Sequence, residues 1–323
     1  MTANHPAVSV IVCTRNRSTF LAKTCHEILD RGYRGTEWEV VIIDNGSTDD
    51  TLSIAEQVAA ENPERVRVVV EHQLGLSEAR NRGIAEARYD LLAFIDDDAF
   101  PLDGWLEALV SPFDGDEVMA AGGPVDPMIE GDLPTWFRGR YLPFLTVWDL
   151  GAEPLELFYF EYPRGANMAF RKEAFDRWGG FSPYLGRKGA SLLSCEETEM
   201  FLRVQRGGGK IMYAPGARVR HLTVADRITP GWLLRRCEAQ GKSEAIFNWQ
   251  HAKLKGLRIG LSCQIRRWKA ARREKPYSGK LFVRCRREAL VGYVKGIPHS
   301  ILRTPLYRPV RPSDEPAPWL PFG

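Results

Sequence analysis

The chain has 323 residues, 44% apolar and 26% charged, which excludes a collagen, a coiled coil and wholesale disorder. Six cysteines lie far apart with no C-x-x-C spacing, against a zinc ribbon or a dense disulfide scaffold, and no run reaches the ~20 apolar residues that span a bilayer. The net charge of +3 is unevenly placed: residues 251–323 hold 17 Lys and Arg against 4 Asp and Glu, a tail of +13 on a body of −10. The opening MTANHPAVSVIVCTRNR has neither a basic n-region nor an apolar run of signal length, so the expected location is a reducing cytoplasm.

Residues 8–13 are a run of branched side chains and predict a buried strand. Ser18 is placed to cap a helix whose Leu21, Cys25, Ile28 and Leu29 share a face, with Gly32 just past its end. Further strands are expected at 40–43, 66–70 and 91–95, and helices at 51–61, stopped by Asn62-Pro63, and at 77–88. Strands separated by 10–12-residue helices predict an α/β fold, a mainly parallel Rossmann-like sheet with helices on both faces. Residues 118–125 read as one more strand. Residues 126–162 are rich in Pro, Gly and aromatics (Trp136, Phe137, Tyr141, Phe144, Trp148, Phe158, Tyr159, Phe160, Tyr162) without a clear period, which fits a second core or a binding surface. Helices at 172–178, 196–206 and 230–250 and a strand at 210–213 complete the body.

Ligands of such sheets sit at the carboxyl ends of the strands. The first strand runs into Thr14-Arg15-Asn16-Arg17 with no glycine between Pro6 and Gly32, which argues against a dinucleotide fingerprint. The second ends in Asp44-Asn45-Gly46-Ser47, where a carboxylate suits a ring N–H or a ribose hydroxyl and a turn with a helix cap suits the residues equally. The fourth ends in Asp96-Asp97-Asp98. Three adjacent acids at the mouth of a buried strand repel unless a cation neutralises them, and Mg²⁺ or Mn²⁺ takes oxygen ligands while bridging phosphates. Glu196 and Glu197 open a helix, where the dipole favours acids and where one can serve as general base. His221 reads either as a core histidine or as an imidazole ligand beside a carboxylate.

In this order, VSVIVCTRNR, VVIIDNGSTDDT, GLSEARNRGIAEA, LLAFIDDDAFP, RGANMAFRKEAF, GGF, CEETEMFLR and VRH resemble the family 2 glycosyltransferases over roughly residues 8–250. The resemblance implies a GT-A fold and an inverting transfer from a nucleotide-sugar. It implies that Thr14, Arg15, Asp44 and Arg80 line the nucleotide pocket, that Asp96 contacts the ribose, and that Asp98 and His221 hold Mn²⁺ or Mg²⁺. Gly165, Ala166 and Asn167 would flank the sugar. Glu197 would be the base with Glu196 beside it, although the family more often carries Asp there, which leaves the two open. The Q-x-x-R-W signature of processive synthases is missing from the region of Leu233-Leu234-Arg235-Arg236-Cys237, so transfer of a single sugar is expected.

The expected organisation is a catalytic domain over 1–250, with a nucleotide half to about 125 and an acceptor half beyond it, then a basic helical extension over 251–323. UDP-hexose is the expected donor, with dTDP-rhamnose behind it, and a glycan or lipid-linked acceptor of cell-surface polysaccharide synthesis the partner. The basic segments at 258–275 and 281–302 interleave apolar residues, which suits contact with an anionic membrane face and packing on the catalytic domain equally. Nucleic acid is an unlikely partner, no recognition module being present. Two alternatives accompany the transferase reading: a sugar nucleotidyltransferase, whose glycine-rich G-x-G-x-R loop TRNR does not match, and a binding protein that has lost turnover.

Overall fold

A computed structural model describes residues 6–34, 37–137, 139–158, 161–273 and 279–305; Tyr159, Phe160, Lys275 and residues 306–323 of the expected extension lie outside them. In chain order the elements are β1 (Val8–Thr14), α1 (Leu21–Arg31), β2 (Trp38–Asp44), α2 (Thr51–Glu61), β3 (Val66–Val70), α3 (Leu76–Glu86) and β4 (Leu91–Asp96). There follow β5 (Ala99–Pro101), α4 (Trp105–Val110), β6 (Val118–Gly122), β7 (Val125–Ile129), β8 (Leu155–Glu156), β9 (Asn167–Arg171) and α5 (Lys172–Trp178). The remainder are α6 (Glu196–Arg206), β10 (Lys210–Tyr213), β11 (Val219–Thr223), α7 (Pro230–Arg273) and α8 (Gly279–Arg303).

Eight strands form the main sheet in the order β3-β2-β1-β4-β9-β6-β10-β8, and β5-β11-β7 form a second. From β3 to β4 the pairing is parallel; β9 runs antiparallel between β4 and β6. Strand side chains alternate between faces, and β1 displays it: Val8, Val10 and Val12 enter the core under α1, α2 and α4, whereas Ile11 enters the one built with α3, α5 and α6. This is the GT-A-type α/β arrangement expected from the sequence.

Two local expectations are corrected and a third is met. Ser18 does not cap α1: Phe20 occupies that position with no side-chain bond, and the Ser18 amide instead donates to Asp49 at 3.4 Å. Residues 118–125 are two strands in two sheets, broken at Gly123-Pro124. A Cβ on Gly123 would lie 1.9 Å from the Ala217 carbonyl oxygen, so only glycine lets the chain turn there. The helix expected over 230–250 is present as the first segment of α7; a non-helical step at Ala252 and Lys253 ends it, and a second helical segment runs on to Arg273.

The helical extension is packed. Phe282, Cys285, Ala289 and Ala271 share a core with Trp232, Leu233 and the aromatic Phe137 and Tyr141. The fit is close because glycines meet backbone: a Cβ on Gly241 would fall 1.9 Å from the Ala289 carbonyl, and one on Gly292 1.8 Å from that of Glu238. The apolar stripe of α8 is thus largely used internally, while Arg284, Arg287 and Lys295 stay in water. Among the described residues no helix is long and apolar enough to cross a membrane.

Candidate active site

The carboxyl ends of β1 and β4 open onto one cavity of about 430 Å³, closed on the far side by α6, α7 and the loop before α6. Thr14, Arg15 and Arg17 enter it from β1, and Asp96, Asp97 and Asp98 from β4. The acidic turn is anchored by the Thr24 hydroxyl, which donates to the Asp97 carbonyl at 2.7 Å. The chain then passes into β5, which pairs antiparallel with β11 and sets His221 opposite Ala99. That register brings the His221 Nε2 to 3.1 Å from Asp98 and 3.7 Å from Asp96.

Charge at this turn is tightly coupled. Burial opposes ionisation of Asp98, but His221, Arg227 and Arg17 together hold its carboxyl well below the usual carboxylate range. The two guanidiniums stand 3.6 and 3.4 Å from it. Asp97, buried and beside the Asp98 charge, is pushed up to about 7 despite Arg17. Burial lowers His221, yet the two carboxylates win and carry it to about 9.

A second acidic group comes from the first turn of α6, where unpaired backbone amides favour negative charge. Glu196 accepts from Arg80 Nη1 at 2.8 Å; the same guanidinium donates to the Gly165 carbonyl at 3.1 Å and reaches Asp96 at 3.5 Å. Arg80 therefore ties the two acidic centres together through α3. Glu197 is different. Its Oε2 is buried without a hydrogen-bond partner, and among the described residues no cation stands within ion-pair distance of it. Burial and the Glu196 charge push its carboxyl up to about 7, against Arg80. A carboxyl held near neutrality and free of an ion pair is suited to take a proton, and Glu196, engaged by Arg80, is not. Sequence set Glu197 first as the base with Glu196 beside it; in the fold the two carboxyls differ in that Glu196 is paired with Arg80 and Glu197 is not.

Of the residues singled out by sequence, Thr14, Arg15, Arg80, Asp96, Asp98, Gly165, Ala166, Glu196, Glu197 and His221 all line this cavity. Asn167 does not. Its side chain is fully buried, accepting from Trp105 Nε1 at 2.9 Å and donating to the Pro124 and Ala217 carbonyls, so it braces the Gly123-Pro124 break rather than a sugar. Asp44 lies behind the wall: its Oδ2 accepts from the Ser47 amide, its Oδ1 is buried and unpartnered, and Asn45 lines the cavity in its place. Sequence reading missed Arg17, Arg187, Arg227 and Arg236, all on the cavity wall. Only Arg17, four residues beyond the expected strand end, carried a local signal; the others come from loops and α7.

The donor set fits a divalent cation. Asp96, Asp98 and His221 each offer one ligand atom, all within 4.8 Å of one another. Carboxylate oxygens with one imidazole suit Mn²⁺ and tolerate Mg²⁺.

Residues 9–181 match the sequence profile described as Glycosyl transferase family 2. The chain is 28% identical over 75% of its length to the glucosyl-dolichyl phosphate glucuronosyltransferase of Haloferax volcanii, covering 77% of that protein. It is 27% identical to the succinoglycan biosynthesis protein ExoM of Rhizobium meliloti over 73% of each chain. In fold it resembles the mannosyltransferase PcManGT from Pyrobaculum calidifontis, solved with GDP-Man and Mn²⁺, with a TM-score of 0.61 at 20% identity over 91% of this chain and 88% of that one. A profile match across more than half the chain, on the sheet and acidic turn described above, makes this protein a member of the family 2 glycosyltransferases, an enzyme of glycosyl transfer with the GT-A fold.

Proposed function

We propose that the protein is an inverting, metal-dependent transferase that moves one sugar from a nucleoside diphosphate donor to a hydroxyl of a glycan or lipid-linked acceptor. The observation that carries this reading is the cluster of Asp96, Asp98 and His221 sharing one cavity with an unpaired Glu197. Cell-surface polysaccharide or lipid-linked glycan synthesis is the setting, in keeping with the two relatives above.

Thr14, Arg15 and Asn45 receive the nucleoside, with Asp44 behind them fixing the turn through the Ser47 amide, and Asp96 the ribose. Asp98 and His221 would hold Mn²⁺ or Mg²⁺, which supplies Lewis acidity to the departing diphosphate. Gly165 and Ala166 present bare backbone to the sugar. Glu197 accepts the acceptor hydroxyl's proton as that oxygen attacks the anomeric carbon from the face opposite the leaving group, which inverts configuration. Glu196, through Arg80, keeps the carboxylates of the two ends at fixed separation. The donor is read as a UDP-hexose first and dTDP-rhamnose second; the packed helices over 254–273 and 279–303 buttress the acceptor end.

The test is donor turnover with UDP-glucose, UDP-galactose, UDP-glucuronate, dTDP-rhamnose and GDP-mannose, with and without Mn²⁺, followed by nuclear magnetic resonance of the product anomer. Release of one nucleotide only with Mn²⁺ and an inverted product are expected. Retention of configuration, or turnover indifferent to metal, overturns the mechanism.

A further inference from the structure

The cavity holds more arginine than its donor needs. Six arginines and five carboxylates line it. Three of the six are matched: Arg17 and Arg227 face Asp98, and Arg80 faces Glu196. Among the described residues the other three, Arg15, Arg187 and Arg236, have no carboxylate within ion-pair distance. A divalent cation and the charges of a nucleoside diphosphate sugar cancel one another, so a bound donor leaves this surplus unanswered.

The surplus is also localised. Arg15 stands at the end of β1, on the nucleotide side. Arg187 comes from the loop before α6 and Arg236 from α7, the wall that also carries Glu197. Burial first, and the Arg236 charge after it, carry Arg187 down to about 10. Arg187 Nη1 is buried with no hydrogen-bond partner, and Arg236 donates to the neutral Gln240 at 3.0 Å. A third guanidinium, Arg164, sits beside Gly165 with its Nε also buried and unpartnered. Converging guanidiniums without carboxylates match an oxyanion that arrives with a ligand, and their forked donors suit phosphate.

We propose that the acceptor carries a phosphate group, held by Arg187 and Arg236 beside Glu197 while the donor is bound. This rests on the transferase reading above and names its acceptor class: a phosphorylated sugar or a sugar joined through phosphate to a lipid. The phosphate places the acceptor hydroxyl within reach of Glu197 and repels a second nucleotide from the acceptor end.

The experiment is calorimetric titration of the full chain saturated with UDP and Mn²⁺ (or dTDP or GDP, whichever binds) with three probes: octyl glucosyl phosphate, glucose 1-phosphate and octyl glucoside. At least tenfold tighter binding of a phosphate probe than of octyl glucoside is expected, the scale of one charged hydrogen bond. Preference for the octyl ester identifies a lipid-linked acceptor, and equal binding of both phosphates a soluble one. Arg236→Gln should remove most of that preference and Arg236→Lys restore part of it, with nucleotide affinity unchanged in both, which also certifies folding. Equal binding of the three probes, displacement of the phosphate probe by nucleotide, or an equal loss of nucleotide affinity in Arg236→Gln overturns the subsite while leaving the donor reading intact. Failure of all three nucleotides to bind overturns the donor reading, and the subsite with it.

Discussion

Replacing Glu197 by Gln should make the protein more stable and nearly inactive at once. In the fold this carboxyl sits at about 7 against an ordinary 4.5, so its ionised form is disfavoured by about 3 kcal/mol, at ~1.4 kcal/mol per pH unit. Between those two pH values the folded chain binds more protons than the unfolded one, and stability falls as pH rises. Below 4.5 both states are protonated and no penalty exists; above 7 it is complete. Gln keeps the shape and removes the charge. With solvent relaxation, about 1–3 kcal/mol of stabilisation is expected at pH 8 and almost none at pH 4.5, roughly 2–6 °C in Tm for a chain of this size. The assay is thermal unfolding of both proteins without ligand at the two pH values. Activity should fall by about 10²–10⁴, the usual scale of losing a general base. A Tm difference equal at the two pH values, or a variant retaining full turnover, would refute the argument that this carboxyl is buried, unpaired and poised.

Other outcomes follow from the same geometry. The wild-type kcat/KM should have an acid limb near pH 7, dropping about tenfold per unit below it, because Glu197 must be ionised to accept a proton; the check is a pH profile with the best donor. Asp98→Ala should abolish the Mn²⁺-dependent part of nucleotide binding in calorimetry, and an unchanged affinity in Mn²⁺ would count against its role. Arg80→Met should cost about 3–5 kcal/mol in urea unfolding, the scale of leaving a buried ion-pair partner alone, and adding Glu196→Gln should return part of it. Gly241→Ala, which improves helix propensity, should nevertheless destabilise by about 1–3 kcal/mol, since its methyl would meet the Ala289 carbonyl; denaturant melts test the sign.

The legible parts of this fold were those written locally. β1, β2 and β4 hold continuous apolar runs, α2 ends where Asn62-Pro63 must end it, and the chemistry follows the strand ends because parallel sheets place it there. What was hidden depended on partners distant in sequence. Nothing near Gly123 states that the backbone of Ala217 will press on it, so one strand was expected where two sheets meet. Asn167 reads as a polar residue at a sugar-binding motif, yet Trp105 and two carbonyls claim its whole side chain. Arg187 and Arg236 look like surface charge in sequence and reach the cavity only through the packing of α7 and a loop. The difference between Glu196 and Glu197 is likewise tertiary, since Arg80 of α3 pairs with the first alone.

The small sheet gives the acidic turn an unusual kind of rigidity. His221 reaches Asp98 through strand register: it lies opposite Ala99 on one side and Pro127 on the other, and the next residue, Leu222, donates its amide to the Asp98 carbonyl at 2.8 Å. Side chains along β11 alternate, with Val219, His221 and Thr223 buried, so a slip of one residue would turn the imidazole to the opposite face and present Arg220 or Leu222 to the carboxylates. The stretch between β10 and β11 holds that register with buried Ala214 and Ala217 and with Arg218, which pairs with Asp126 and Asp149. A one-residue slip of β11 would cost twice over: it would turn His221 away from the cation ligands and pull Val219 out of the core under α1, α2 and α4.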